Sequence, residues 1–354
     1  MAGHGTGPTD WDVAVVGAGI IGCAVARELA RRGAKTIVFE ARDVGAGATQ
    51  ASAGVLAPFI EAPGEGPLQA MTIESLAMYD EFVANVAEES STPIEYRRCG
   101  TLEVATDAKA AAHLRSLGEW VTSRGVDAQW IESSDVNRFE PRLAATCGGL
   151  LVPSHGYVRA SQLTRALVDA ARHHGAEVRV GRRVNEISCT GDRATVSVGE
   201  EFYSARTVVV AAGSWSAEVS PEAFVTPVRG QLLRVGWQGR PIERILWSEH
   251  CYLVPWLDGT LLIGATVENA GFDERITAGG VRELLNAATA VLPAIAEATF
   301  VEARVGLRPG TATGLPIISR SVEHPALVHA TGHFRNGILL APLTARLVAD
   351  LVVL

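Results

Sequence analysis

Three glycines near the beginning of the chain have the spacing of a turn that binds a dinucleotide. They are Gly17, Gly19 and Gly22 in the run VVGAGIIG. Gly17 allows a tight turn, Gly19 lets the backbone approach a pyrophosphate, and Gly22 permits a helix to pack closely on a strand. The phosphates would face the free N–H groups and the positive dipole end of that helix. Glu40, eighteen residues after Gly22, is placed to accept hydrogen bonds from ribose hydroxyls.

The segments around this turn have the patterns that the motif requires. Residues 12–16 form a continuous apolar run typical of a buried parallel strand, and residues 20–32 follow as a helix. Residues 36–39 predict a second strand, which ends at Glu40. Together these elements predict a right-handed crossover unit that binds an adenine dinucleotide. The unit does not distinguish NAD from FAD, because both cofactors contain the adenosine half.

Elements further along the chain complete the predicted architecture. Residues 45–54 are too rich in small residues for regular structure, and they predict a loop whose backbone approaches a ligand. Residues 225–267 alternate strand patterns with turn signals, which predicts an antiparallel sheet. Residues 338–351 predict a closing helix, in which Pro342 would be tolerated only in the first turn. The sequence therefore predicts an α/β fold with two domains.

Composition and charge exclude several classes of protein. The chain has 354 residues, of which 47% are apolar, enough for the extensive cores of two domains. The formal net charge of −8 argues against nucleic acid as a partner. No apolar run is long enough to cross a membrane. The five cysteines are scattered without a Cys-x-x-Cys pair, which is typical of reduced structural thiols in a cytoplasmic protein.

Three further runs resemble the signatures of a known family of flavoproteins. They are GATQASAG (47–54), TVVVAAGSW (207–215) and ATGHFRNGI (330–338). With the N-terminal turn they resemble the D-amino-acid-oxidase-like family, and within it the glycine oxidases of the thiamine-biosynthesis type. The similarity covers nearly the whole chain, and its most specific runs are HCYLVP (250–255), GLRPGT (306–311) and GHFRNGILLAP (332–342). The resemblance implies that the dinucleotide is FAD.

The resemblance also implies how the chain is divided and where FAD binds. A FAD-binding Rossmann-like domain would comprise residues 1–84, 149–222 and 304–354, and a mainly antiparallel α+β substrate domain residues 85–148 and 223–303. The family's FAD contacts fall on Ile20, Ile21, Glu40, Ala41, Ala48, Thr49, Ala53, Gly54, Val55, Val184, His333, Phe334, Arg335, Asn336, Gly337, Ile338 and Leu339. Residues 333–337 directly precede a helix, so its N–H groups and dipole would stabilise negative charge on the reduced flavin.

Three residues are implied as the catalytic set. The resemblance places Arg308 as the partner of a substrate carboxylate, Tyr252 as a second donor to that carboxylate, and Arg335 at the same site. The chemistry agrees, because a planar guanidinium matches a carboxylate with two parallel hydrogen bonds. Without the family motif, a surface or interdomain ion pair would be the better interpretation of each arginine. The scattered histidines have no metal-ligand spacing, so no metal site is predicted.

The implied activity is the oxidative deamination of glycine, or of a similarly small amino acid. Hydride would pass from Cα to flavin N5, and the products would be glyoxylate, ammonia and hydrogen peroxide. A D-amino acid or sarcosine oxidase, a dehydrogenase with another electron acceptor, and a non-catalytic nucleotide-binding module are the alternatives. Molecular oxygen is the expected co-substrate, and a homo-oligomer is compatible with the sequence.

The sequence departs from the glycine oxidase pattern at three positions of the implied pocket. Val55 and Val267 stand where methionine is common, and Trp256 stands at a position that is usually polar. These changes leave FAD binding intact and bear on the shape of the substrate pocket. No cysteine follows Cys251, whereas sarcosine oxidases of the superfamily attach the flavin through a later cysteine. The flavin should therefore be non-covalent.

Overall fold

The computed structural model describes residues 10–62 and 64–352, which form two large sheets, a small third sheet and ten α-helices. The strands are β1 (Asp10–Val16), β2 (Thr36–Phe39), β3 (Val55–Leu56), β4 (Tyr96–Arg97), β5 (Thr101–Val104), β6 (Gln129–Ile131), β7 (Gly149–Val152), β8 (Gly156–Val158), β9 (Glu177–Arg179), β10 (Glu186–Thr190), β11 (Arg193–Val198), β12 (Glu201–Val210), β13 (Thr226–Gly236), β14 (Ile245–Trp247), β15 (Tyr252–Pro255), β16 (Thr260–Gly264), β17 (Thr299–Gly310), β18 (Ile317–Arg320) and β19 (Leu327–Thr331). The helices are α1 (Ile20–Arg31), α2 (Pro58–Glu61), α3 (Pro67–Ala77), α4 (Tyr79–Glu88), α5 (Ala108–Thr122), α6 (Ser133–Phe139), α7 (Ala160–His173), α8 (Ser216–Val219), α9 (Ala278–Val291) and α10 (Gly337–Leu351).

The first sheet has a parallel centre. Its strands follow the order β10-β11-β12-β1-β2-β9, with β19 against the C-terminal half of β12 and β18 against β19. Along β1, Val13 and Val15 join the core that contains α1, α7 and α10, whereas Ala14 and Val16 join the core on the opposite face. Both faces of β1 are therefore buried, which explains its unbroken apolar run. This sheet confirms the predicted α/β class.

The second sheet is antiparallel except at one pair. Its strands follow the order β17-β13-β16-β15-β14-β5-β7-β6, and only β14 and β5 run parallel. One face packs on α9, and the other face carries Tyr252 toward the small-residue loop at Ala53. The strands between residues 226 and 264 confirm the predicted antiparallel sheet.

The division into two domains stays a prediction, and the sheets depart from it at two boundaries. The sequence predicts that residue 149 opens a segment of the first domain, but β7 (149–152) pairs with β5 and β6 in the second sheet. Likewise β17 runs without a break through the predicted boundary at residue 304. The ends of the predicted segments, residues 1–9 and 353–354, lie outside the described residues.

The pairing of the cysteines and the length of the helices can be compared with the composition of the chain. All five cysteines are unpaired. Burial raises the pKa of the thiols of Cys23 and Cys251, so both stay protonated and unreactive. Within residues 10–62 and 64–352, none of the helices combines the length and the apolar character that a bilayer crossing requires.

Pro342 is the sixth residue of α10, so the expectation that it must lie in the first turn is wrong. A proline there has no N–H for the carbonyl of Ile338, four residues earlier. The hydroxyl of Tyr79 donates to that carbonyl at 2.6 Å and replaces the missing donor. At the next residue, the hydroxyl of Ser75 donates to the Leu339 carbonyl at 2.6 Å. Side chains of α3 and α4 therefore donate hydrogen bonds to the carbonyl groups of α10 near the proline.

Replacing Tyr79 by phenylalanine tests this arrangement. Tyr79→Phe leaves the buried Ile338 carbonyl without a donor, so the free energy of unfolding should fall by about 1–3 kcal/mol. In a Pro342→Ala background the backbone N–H of residue 342 can donate to the Ile338 carbonyl. Tyr79→Phe should then lower the free energy of unfolding by clearly less. Urea unfolding of the four proteins measures the difference. An equal cost in both backgrounds would show that the proline is irrelevant to the role of Tyr79.

Candidate active site

A cavity of about 370 Å³ lies where the carboxyl ends of the parallel strands meet the second sheet. It brings the N-terminal turn and the C-terminal runs of the chain together. The predicted site residues that line it are Gly17, Gly19, Ile20, Ile21, Glu40, Ala41, Ala48, Thr49, Ala53, Gly54, Val55, Val184, Tyr252, Arg308, His333, Phe334, Arg335, Gly337 and Ile338. Nearly all of the predicted residues are therefore assembled around one space.

Three predicted cofactor contacts do not line this cavity. A Cβ on Gly22 would overlap the carbonyl oxygen of Gly17, so Gly22 is needed for close packing of α1 on the turn rather than for contact with a ligand. Leu339 is buried in the core of the first sheet. Asn336 precedes α10, and its buried Oδ1 has no hydrogen-bond partner among the described residues. Contacts of Asn336 and Leu339 with FAD would have to be made through the backbone, and they stay a prediction.

The turn at one end of the cavity has the geometry that a pyrophosphate requires. Gly17 has φ of 105°, and a Cβ there would lie 2.5 Å from the carbonyl oxygen of Ala211. Gly19 at the N-cap position of α1 has no side chain to cap the helix, and the Ile20 N–H donates to Thr49 Oγ1 at 3.1 Å. The start of α1 therefore presents N–H groups and a positive dipole end to the cavity.

Glu40 stabilises the turn that it follows. One of its carboxylate oxygens accepts a hydrogen bond from the Ala18 N–H, and the other accepts one from the Arg42 N–H, each at 2.8 Å. Each oxygen has a second lone pair. Glu40 lines the cavity, so binding of ribose hydroxyls by the same carboxylate remains compatible with this role.

A second helix N-terminus faces the cavity from the C-terminal end of the chain. The helix α10 begins at Gly337 with no side-chain cap and no acidic residue in its first turn. The imidazole of His333 contacts Thr344 Oγ1 at 3.0 Å, and burial lowers the pKa of His333 to about 3. His333 is therefore neutral at physiological pH. Negative charge at this end would be stabilised by the N–H groups of α10, not by a histidine cation.

Arg308 presents a guanidinium that no carboxylate neutralises among the residues described. Its Nη1 donates to two backbone carbonyls, of Thr266 at 2.9 Å and of Arg229 at 3.4 Å. Burial, together with the charge of Arg335, lowers the pKa of Arg308 below its usual value, but a guanidinium stays charged at any physiological pH. The remaining N–H groups of Arg308 are free to bind an anion in the cavity.

Glycines on two strands make room for this guanidinium and for the phenol beside it. A Cβ on Gly230 of β13 would overlap the guanidinium of Arg308, and a Cβ on Gly264 of β16 would overlap the ring end of Tyr252. Tyr252 pairs directly with Gly264 across the sheet. Both functional side chains therefore lie flat across the sheet, where any larger residue would displace them.

Tyr252 is a hydrogen-bond donor at the pH values where proteins are stable. Burial raises the pKa of its phenol above the usual value, although the charges of Arg308 and Arg335 partly offset this effect. The ring packs on Trp247 with centroids 4.8 Å apart. A protonated phenol and a charged guanidinium at one cavity wall suit a carboxylate.

Arg335 is engaged in a bond that the sequence does not predict. Its Nε and Nη2 donate to the two carboxylate oxygens of Glu61 at 2.7 and 3.0 Å. Burial lowers the pKa of Arg335, but Glu61 outweighs that effect and the net change is a rise. Glu61 also lines the cavity. No spacing or composition signal marks Glu61, because its partner lies 274 residues away in sequence.

These features fit the predicted FAD. The chain supplies a glycine turn at a helix N-terminus for a pyrophosphate, an acidic residue for ribose, and a second free helix N-terminus for an electron-rich ring. Among the described residues that line the cavity there is no cysteine, and non-covalent binding of the flavin stays a prediction.

Comparisons with known proteins agree with this interpretation. The profile of a family described as FAD dependent oxidoreductase matches residues 12–351. The chain is 34% identical over 349 residues to a glycine oxidase of Geobacillus kaustophilus (strain HTA426), which covers 97% of this chain and 93% of the relative. It is also 34% identical to the bifunctional protein ThiO/ThiG of Nostoc sp., with 97% of this chain and 52% of that protein covered. The crystal structure of glycine oxidase from Geobacillus kaustophilus aligns with a TM-score of 0.93 at 34% identity, over 97% of this chain and 94% of that one.

The glycine beneath Arg308 gives a test of the anion site. In Gly230→Ala the new methyl group should push the guanidinium aside while the strand is kept, because the atoms it meets belong to the end of a flexible side chain. Binding of acetate, measured by calorimetry, should weaken about tenfold or more, the value of one charge-assisted hydrogen bond. Gly236→Ala in the same strand is the matched control, since its Cβ would meet Thr299 at an ordinary 3.5 Å. Equal acetate affinity in the two variants would remove Arg308 from the anion site.

Proposed function

The chain belongs to the family of FAD-dependent oxidoreductases, and we propose that it oxidises glycine, or a similarly small amino acid, with molecular oxygen as the acceptor. Oxidation gives an imine and hydrogen peroxide, and water hydrolyses the imine to glyoxylate and ammonia. The observation that carries this proposal is the partly buried Arg308 guanidinium, which has no acidic hydrogen-bond partner among the described residues and lines the same cavity as the phenol of Tyr252. A small amino acid has the single carboxylate that these two groups would bind.

The protein's own groups hold the cofactor and bind the substrate. FAD, when bound, supplies the two-electron acceptor for the substrate Cα–H bond. The N-termini of α1 and α10 would hold its pyrophosphate and its ring without covalent attachment. Arg308 would bind the substrate carboxylate through two parallel N–H groups, and the Tyr252 hydroxyl would donate to the same carboxylate. Positioning of this kind supplies a large part of the rate enhancement in many enzymes.

The proposed reaction does not depend on a side-chain base. The carboxylate on the cavity wall whose charge acts on Tyr252 and Arg308 is that of Glu61. Both of its oxygens accept hydrogen bonds from Arg335, so Glu61 is already engaged. The imidazole of His333 contacts Thr344. The substrate amine would bind in its neutral form, because a desolvated site disfavours the ammonium.

A role in thiamine biosynthesis forms part of the proposal. It is supported by the similarity to bifunctional ThiO/ThiG proteins, of which this chain spans about half the length. The product of glycine oxidation would then be consumed in a later step of that pathway.

The activity is tested by adding glycine, sarcosine and D-alanine separately to the purified FAD-loaded protein in air. Glycine should give equal amounts of glyoxylate and hydrogen peroxide. If sarcosine or D-alanine forms peroxide at a much higher kcat/KM than glycine, that compound and not glycine is the substrate. If glycine reduces the flavin but no peroxide forms, the electron acceptor is a compound other than oxygen.

Substitution of the carboxylate-binding residue tests the assignment of Arg308. Arg308→Lys keeps the charge but loses the two parallel donors, so KM for glycine should rise about tenfold or more, as for one lost charge-assisted bond. The visible spectrum should still indicate one bound flavin per chain. Arg304→Lys, four residues earlier in β17, is the control, because the side chain of Arg304 donates to Glu302 and to the backbone carbonyl of Gln50 and does not line the cavity. An unchanged KM in Arg308→Lys would contradict the assignment.

A further inference from the structure

The ion pair between Glu61 and Arg335 lies on the wall of the same cavity as Arg308 and Tyr252. The pair is bidentate, and the Glu61 side chain is only 9% exposed. The phenol of Tyr252 responds to the charges of Arg308, Arg335 and Glu61 together. All four side chains line the same cavity, so each can face a ligand that is bound there.

The charges of this cluster do not cancel. Within this cluster two guanidinium groups face one carboxylate and one neutral phenol, which leaves a single positive charge. The charge of Glu268 also acts on Arg308, but Glu268 is paired with Arg229 and does not line the cavity. Glu61 neutralises Arg335, so the uncompensated cation is Arg308. A ligand with one carboxylate completes the charge balance of the buried cluster. A ligand with two carboxylates brings a second anion next to Glu61, with no free guanidinium to receive it, and burying an unpaired charge is costly.

We propose that Glu61 is a specificity-determining residue that restricts the site to substrates with one acidic group. It acts by occupying the donors of Arg335, which would otherwise form a second carboxylate site. The selected class is a small monocarboxylic amino acid, and the excluded class is an amino or imino acid with a second carboxylate. The inference rests on the proposed function for the identity of the substrate, but the selectivity itself concerns anions and does not require turnover.

Binding of two inert acids by the FAD-loaded protein tests the inference. Acetate carries one carboxylate and malonate carries two, and neither has an amine to oxidise. Each acid is titrated into wild-type protein and into Glu61→Gln, with the dissociation constant taken from the change in the visible flavin spectrum and from calorimetry. Glu61→Gln removes the charge that neutralises Arg335 and leaves a single amide oxygen to accept from it, so the preference for malonate over acetate should rise at least about tenfold.

Two further variants separate this effect from general disturbance. Glu74→Gln breaks a similar pair with Arg346 on the surface and should leave the preference within twofold of wild type. The double variant Glu61→Gln with Arg335→Met removes both charges of the pair, so the preference should return to the wild-type value. Flavin content of each protein confirms that the cofactor site is intact.

An unchanged preference in Glu61→Gln would overturn the inference, and so would a gain for malonate that persists in the double variant. Failure of the proposed function looks different. If glycine were not the substrate, glycine would yield no peroxide, while the binding ratios of acetate and malonate would still follow the charges of Glu61 and Arg335. Where the inference holds, kcat/KM for iminodiacetate relative to glycine should also rise at least about tenfold in Glu61→Gln.

Discussion

The site depends on the partly buried guanidinium of Arg308, which has no carboxylate partner within the described part of the chain. Burying such a charge is unfavourable unless its donors are satisfied, and only two backbone carbonyls accept from Arg308 in the described structure. The second sheet accommodates the group because Gly230 leaves the space that the guanidinium fills. A bound carboxylate would supply the missing acceptors, so the free energy spent on this buried charge in folding would be recovered in binding. The position of Arg308 thus connects the packing of the sheet with the selection of an anionic ligand.

The two sheets bring distant parts of the chain to this point. Parallel pairing of β1 with β12, and of β12 with β19, aligns the carboxyl ends of strands from both halves of the chain. The helices α1 and α10 both start near these ends, and their uncapped N-termini face the same cavity. The hydroxyls of Tyr79 and Ser75 satisfy α10 where Pro342 interrupts it. Long-range contacts therefore complete what the N-terminal motif begins.

Local patterns in the sequence were sufficient for the crossover unit, since apolar periodicity and glycine spacing act within about thirty residues. The family resemblance located Arg308 and Tyr252, and the structure places both at the cavity. The bond between Glu61 and Arg335 could not be predicted, because a pairing across 274 residues leaves no local pattern. The prediction for Pro342 is wrong for a similar reason: the group that donates to the Ile338 carbonyl in place of the missing N–H is the hydroxyl of Tyr79, which belongs to another helix. The roles of Gly230 and Gly264 follow from cross-strand neighbours, which only the sheet register reveals.

A crystal structure of the FAD-loaded protein with acetate would test the central claim most directly. We predict that the acetate carboxylate lies within hydrogen-bond distance, roughly 2.7–3.2 Å, of the Arg308 guanidinium and of the Tyr252 hydroxyl, with Arg335 still paired to Glu61. Acetate bound to Arg335 in place of Glu61, with Arg308 turned away from the ligand, would contradict the account.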